Sequence, residues 1–253
     1  ASQNFDSVNC TIDAEDMRYV ASLLRNNYSN TQLAVIREIS ANALDANVEA
    51  NAKRRIEVKL PTSMNPTFAV RDFGGGLSEE DVFGLYSKYG KSTKRQSNNY
   101  IGAFGIGKFA PLSYGDNFTC VSYHNGKKTT YNIFVNEDDD TKISRIGDSV
   151  PTDEPTGLSI EVAVADNDVN SFRETSQKFF QFFPSHEMPY FIGAEDDFIK
   201  PQEKILASDT DDWFFINQQS HSYYGSSHII MGRVAYKIDP SSISTGGKKS
   251  FSF

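Results

Sequence analysis

Three polar residues spaced along one predicted helix are the first candidates for chemistry. The stretch from about Thr31 to Ala50 has helical character, and Asn30 is a suitable N-cap. Within it, Glu38, Asn42 and Asp45 stand at i, i+4 and i+7. At 100° per residue they fall within an arc of roughly 60°, with Ile36 and Ala43 on the far side. A carboxylate, an amide and a second carboxylate in a row suit an oxygen-liganded Mg²⁺ with a base for water beside it. A solvated polar helix face would have the same composition, so the row alone does not decide.

Three further groups follow along the chain. Asp72-Phe-Gly74-Gly-Gly76 comes directly after a predicted strand. A carboxylate at a strand end can accept a hydrogen bond from an exocyclic amine, and adjacent glycines let the backbone approach a planar base closely. A plain Gly-rich turn is the alternative. Gly102-Ala-Phe-Gly105-Ile-Gly107-Lys108 has the makings of an anion cradle of backbone N–H groups leading into a helix. It nearly spells a P-loop, but Phe109 stands where the Mg-binding hydroxyl belongs and the preceding stretch from Lys91 to Tyr100 is polar. A kinase Gly-rich loop would need a His-Arg-Asp catalytic string downstream, which does not occur. Lastly, Thr156-Gly157 opens a predicted strand, where the hydroxyl could hold a water or a base nitrogen; many strands start this way without a ligand.

The elements that must position these groups are legible in outline. Arg55–Leu60 and Thr67–Arg71 read as strands, and Ser78 with Asp81 starts a short helix to about Tyr86. Residues 88–110 are polar, Gly-rich and irregular, as in a functional lid or a disordered stretch. Asn117–Tyr123 and Thr129–Val135 form a predicted hairpin through Asn125-Gly126, and Leu158–Val164 is another strand. A Phe-rich helix runs from about Val169 to Phe183, ahead of Pro184 and Pro189. From residue 190 the pattern leans towards strands, with His228–Ile238 the clearest. A further helix is expected over Asp13–Leu24. The boundary is set near 184–190, giving a first domain over 1–186 and a partial second one over 187–253.

Composition narrows the class. With 38% hydrophobic and 23% charged residues, the chain can build a globular core. No apolar run is long enough for a membrane helix, and no secretory signal is visible. The two cysteines, Cys10 and Cys120, make neither a disulfide framework nor a zinc site, so a reducing cytosol is the expected setting. A net charge of −8 argues against nonspecific nucleic-acid binding, and nothing points to direct membrane contact.

Taken in order, an acidic-amide helix, a strand ending in Asp-x-Gly-x-Gly, a polar lid with a second glycine motif, and Thr-Gly before a strand resemble the GHKL superfamily. That superfamily includes topoisomerase ATPase subunits, the ninety-kilodalton heat-shock chaperone, sensor kinases and MutL-type repair proteins. The strings Arg37-Glu-Ile-Ser-Ala-Asn-Ala-Leu-Asp-Ala46, Arg71-Asp-Phe-Gly-Gly-Gly-Leu-Ser78 and Ile101-Gly-Ala-Phe-Gly-Ile-Gly-Lys-Phe-Ala-Pro-Leu-Ser-Tyr114 look like the rIIA-type proteins of tailed phages. A weaker likeness continues over Phe172–Gly193.

The resemblance implies an α+β fold, a two-layer α/β sandwich of the Bergerat type, followed by the start of a second, transducer-like α/β domain. It implies ATP and Mg²⁺ as ligands, hydrolysis to ADP and phosphate, dimerisation when ATP is bound, and a protein partner it does not name. Glu38 would activate the attacking water and Asn42 would ligate Mg²⁺, with Asp45 and Ala46 completing that motif. Asp72 would bind the adenine amino group, Gly74 and Gly76 forming its turn. Gly102, Gly105, Gly107 and Lys108 would wrap the phosphates, with Lys91 and Lys94 in reach. Thr156 would support adenine through a water. A lysine from the second domain would meet the γ-phosphate, with Lys237, Lys248 and Lys249 as candidates. A phage protein of this kind would work in the bacterial host cytosol. Two other readings stay open: a non-hydrolysing ATP-binding switch, and a sensor-type kinase. The kinase lacks an upstream phosphoacceptor, since all four histidines lie downstream of the motifs' start.

Overall fold

The computed structural model describes residues 7–9, 30–86, 107–138, 140–195 and 198–199, and the short strands at 204–207, 214–216, 227–231 and 234–238. Helix α1 spans Thr31–Glu49. Asn30 opens it, its side-chain oxygen accepting the Leu33 N–H at 2.9 Å, which satisfies one of the helix's orphan donors. Val35, Ile36, Ile39, Ala43 and Leu44 are buried along one side. Burial of an isoleucine or leucine there contributes about 1.5–3 kcal/mol each, enough to seat the helix on what lies beneath it.

Beneath it is a sheet. Its strands are β1 (Ser7–Asn9), β2 (Glu57–Lys59), β3 (Thr67–Arg71), β4 (Asn117–His124), β5 (Lys127–Val135), β6 (Thr141–Pro151), β7 (Gly157–Ala163) and β8 (Tyr190–Ile192). The eight run in the order β1-β6-β5-β4-β7-β3-β2-β8, antiparallel at every pairing except β2 with β8. The β4–β5 hairpin turns at Asn125 and Gly126, both at positive φ, which matches the right-handed twist of the strands. Strand alternation sends Val58, Val70, Cys120, Phe118, Tyr131, Ile133 and Ile143 to one face, where they join a single core.

Among the described residues, the helices pack on that face. Helix α2 (Glu79–Tyr86) buries Val82 and sets Phe83 edge-on to Tyr131 at 5.8 Å. Its start is capped as expected: Ser78 Oγ accepts the Asp81 N–H at 3.1 Å. Helix α3 (Val169–Phe180) brings Phe172 to within 5.4 Å of Phe68 and starts an aromatic cluster through Phe179, Phe180, Phe183, Phe191 and Phe198. A 3₁₀ segment, Gly107–Ser113, packs Phe109 and Leu112 into the same core. The result is the two-layer α/β sandwich expected from the sequence.

Four features differ from the sequence reading or add to it. Strand β6 has no counterpart in it: Gly147, Asp148 and Pro151 punctuate the stretch like a loop, and pairing along β5 overrides that local chemistry. Strand β8 continues the main sheet beyond residue 187, and Phe191 and Phe198 pack on its core. Strands β9 (Lys204–Ala207) and β10 (Phe214–Ile216) form a further antiparallel pair. His228–Ile238 is a hairpin of β11 (Ser227–Met231) and β12 (Val234–Ile238) rather than one strand. The helix expected over Asp13–Leu24 lies outside the described residues.

Candidate nucleotide-binding site

The site is built where α1, the end of β3 and the start of β7 converge. Asp72 follows β3 and is buried. Its Oδ1 accepts two backbone N–H groups, Gly74 at 2.9 Å and Leu158 at 3.1 Å, and its own N–H donates to the Leu158 carbonyl at 2.9 Å. Among the described residues both side-chain bonds fall on Oδ1 and none on Oδ2. Burial pushes the carboxyl above the usual aspartate range, against the pull of those two N–H groups and of the Arg71 charge.

The glycines around Asp72 are required by contact as much as by conformation. Gly157 has φ +136°, and a methyl group there would collide with the Asp72 carbonyl. Gly76 has φ +67°, and its methyl would strike the Tyr123 carbonyl. Only glycine meets both demands. Gly74 faces α1: a methyl on it would stand 3.1 Å from the Ala46 Cβ. Ala46 is thus the small residue that lets the glycine turn close over the helix. Thr156 is exposed at the entry to β7, directly before Gly157.

The other end of the site lies one to two turns up α1. Glu38 and Asn42 are half-buried, while Asp45 is 4% exposed. The expected polar row is therefore split: two groups reach the surface of the helix and the third is enclosed. One oxygen of Glu38, Oε1, takes Arg37 Nη2 at 2.8 Å and Nε at 3.1 Å. The other, Oε2, lies so close to Gly107 that a methyl on that glycine would collide with it. The last glycine of the second motif thus rests on the helix carboxylate, two groups that are 69 positions apart in sequence.

Lys108, expected beside the phosphates, donates from Nζ to the Leu85 carbonyl at 2.5 Å, in the last turn of α2. A cation there complements the negative end of that helix. Lys91, Lys94, Gly102 and Gly105 lie outside the described residues, as do Lys248 and Lys249. Among the described residues no group of three or more His, Cys, Asp and Glu side chains could hold a metal ion.

The structure adds residues that the motifs did not single out. Asn47 Oδ1 accepts the Phe73 N–H at 2.6 Å and its Nδ2 donates to the Arg54 carbonyl at 2.8 Å, so it ties the last turn of α1 to the turn that carries Asp72. Arg71, next to Asp72, is buried and donates to the Pro155 carbonyl. Asn47 carries no motif of its own. Its one sequence signal is an amide just past the Asp45-Ala46 pair. Arg71 could be suspected only from being a charged residue inside a strand otherwise made of Thr, Phe, Ala and Val.

The site thus combines an α/β sandwich with a buried strand-end aspartate, a glycine turn over a helix and, at Gly107, a glycine seated on that helix's carboxylate. Residues 28–155 match the family described as Histidine kinase-, DNA gyrase B-, and HSP90-like ATPase. That is half of the chain, and the chain belongs to this family, which is of the GHKL type. The match takes in α1, Asp72 and the second glycine motif; Thr156 and Gly157 follow immediately after it. No curated protein matches the sequence. Among the described residues no helix is long and apolar enough to cross a membrane.

Proposed function

We propose that the chain binds ATP with Mg²⁺ and hydrolyses it to ADP and phosphate, using the nucleotide as a conformational switch. The observation that carries the hydrolytic part is the seating of Gly107 on Glu38 Oε2. A glycine motif that wraps phosphates would bring the γ-phosphate to the one half-buried carboxylate on α1 able to take a proton from water. Phosphoryl transfer to water needs little else from the protein than positioning and charge. Asp72 Oδ2 accepts the adenine amino group, with Thr156 beside it. Asn42 would hold Mg²⁺ together with phosphate oxygens and waters, and the ion would neutralise charge on the phosphates.

Several finer elements belong to the same reading. Lys91, Lys94, Gly102, Gly105 and Lys108 complete the phosphate side, Asp45 supports it from within α1, and ATP-linked closure favours a homodimer. Past β8 and Phe198, which belong to the first core, the remainder of 187–253 begins a transducer-like domain, and its strand β12 carries Lys237 as one candidate for the γ-phosphate lysine. The likeness of the three sequence strings to phage rIIA-type proteins makes a bacterial host cytosol the setting, with a protein partner still to be identified.

A non-hydrolysing switch is the second reading, and the Arg37 grip on Glu38 Oε1 favours it, because it occupies one oxygen of the carboxylate that would have to meet the attacking water. The two separate in one experiment. Phosphate release and nucleotide titration are measured for wild type and Glu38→Ala with and without Mg²⁺. Hydrolysis predicts that the variant binds ATP within about threefold of wild type while turnover falls at least about a hundredfold. Binding without turnover in wild type selects the switch. No binding by wild type overturns both.

A further inference from the structure

Arg71 sits badly with a purely structural role. It is only 9% exposed, yet among the described residues no carboxylate pairs with it. Nη2 donates to the Pro155 carbonyl at 2.5 Å, and Nη1 is buried with no hydrogen-bond partner among the described residues. The guanidinium lies 3.6 Å from the centroid of the Tyr123 ring and 5.1 Å from that of Phe73. A charge taken out of water and offset by one carbonyl, two ring faces and the more distant pull of Asp72, Glu154 and Glu57 is a poor source of stability, and an apolar side chain of similar volume would serve packing better.

What the guanidinium holds gives it a purpose. The Pro155 carbonyl belongs to the peptide that leads straight into Thr156 and Gly157. The stretch Thr152–Thr156 is largely exposed. Its other fastenings among the described residues are the Thr152 N–H on the Gly126 carbonyl and a turn in which Thr152 Oγ1 accepts the Glu154 N–H. Neither constrains the peptide before Thr156. Arg71 does, and it is the residue next to Asp72. A planar fork stacked on Tyr123 has few orientations open to it, so the carbonyl it grips is held in one place.

We infer that Arg71 is a positioning residue for base recognition: through the Pro155 carbonyl it sets where Thr156 stands relative to Asp72, without touching the nucleotide. This rests on the ATP-binding reading above. Affinity for the adenine base should then depend on Arg71, whereas phosphate chemistry at the Glu38 end should not. Lysine keeps a donor for Pro155 but cannot stack as a plane, so it should rescue only in part.

The test titrates ATP and GTP into the full chain, as wild type, Arg71→Gln and Arg71→Lys, with Mg²⁺ present and at a temperature where each is folded. The expected result is an ATP dissociation constant raised about tenfold in Arg71→Gln and about threefold in Arg71→Lys. GTP binding should change little, so that the preference for adenine collapses, while phosphate release at saturating ATP stays within about twofold of wild type. Should Arg71→Gln not fold, Tyr123→Leu removes the stacking ring while keeping the arginine, and should weaken ATP in the same base-selective way. Unchanged ATP affinity and base preference in the folded variants overturn the inference while leaving the ATP-binding reading intact. Equal loss for ATP and GTP also overturns it, because that is the signature of a general loosening. A wild type that binds no ATP fails the functional reading itself.

Discussion

The two ends of the site are built from different materials. At the Asp72 end, backbone meets backbone: the aspartate carboxylate is held by two main-chain N–H groups, and Gly157 and Gly76 bring strand and turn closer than any side chain permits. At the Glu38 end, side chains on a single helix do the work, and the carboxylate is held by the neighbouring Arg37 and faces one glycine. The first kind of contact has almost no freedom, because moving it means moving the sheet. The second can be changed by a rotamer. On the proposed function, recognition of the base would therefore be part of the fold, whereas the chemistry at the phosphates would be adjustable from one side chain to the next.

The hardest test of this contrast is Gly157→Ala. A methyl group there collides with the Asp72 backbone at a φ that side chains avoid, so the variant should lose at least about 3 kcal/mol of stability and its ATP binding together, seen in denaturant unfolding and titration. Gly75→Ala, where a methyl meets nothing within 4 Å, is the matched control and should stay within about 1 kcal/mol of wild type. If both glycines tolerate alanine equally, the base end is not the rigid one.

Asp72→Asn should weaken ATP about a hundredfold, since the amide offers a donor where the adenine amino group needs an acceptor. It also carries a pH signature. Burial raises the carboxyl's pKa in the folded chain, so between the ordinary aspartate value and the folded one the native state binds more protons than the unfolded state. Its contribution to stability is full below that window and is lost as pH rises through it. The asparagine variant lacks this loss. Its stability relative to wild type should therefore improve from acid towards neutral pH, and a flat difference across that range would contradict the burial argument.

Gly107→Ala should have the smallest effect on the fold. The methyl meets the end of the Glu38 side chain, which can swing aside, so unfolding should shift by less than about 1 kcal/mol. Turnover should fall about tenfold because the base is displaced, while ATP binding holds. Together with Gly157→Ala it sharpens the comparison: a collision with backbone removes fold and binding, and a collision with a side chain removes rate.

Much of this molecule is legible in its residues alone. The helix at Thr31–Glu49, its Asn30 cap, strand Thr67–Arg71 and the Asn125-Gly126 hairpin follow from local chemistry, meaning capping oxygens, alternation and turn residues, which acts over a few positions. The order of the motifs named the class of site for the same reason: each motif is a local requirement of the ligand it serves. What local chemistry does not carry is contact across the sheet. The pairing of β6 with β5, the addition of β8 beyond residue 187, the enclosure of Asp45 and the turn of Lys108 towards α2 each depend on a neighbour distant in sequence. So do the seating of Gly107 on Glu38, the Asn47 bond to Phe73 and the Arg71 grip on Pro155. The sequence alone determined which residue types stand ready for nucleotide chemistry; only the tertiary structure decided which of them meet, because approach distance is set by how the sheet stacks its strands and not by spacing along the chain.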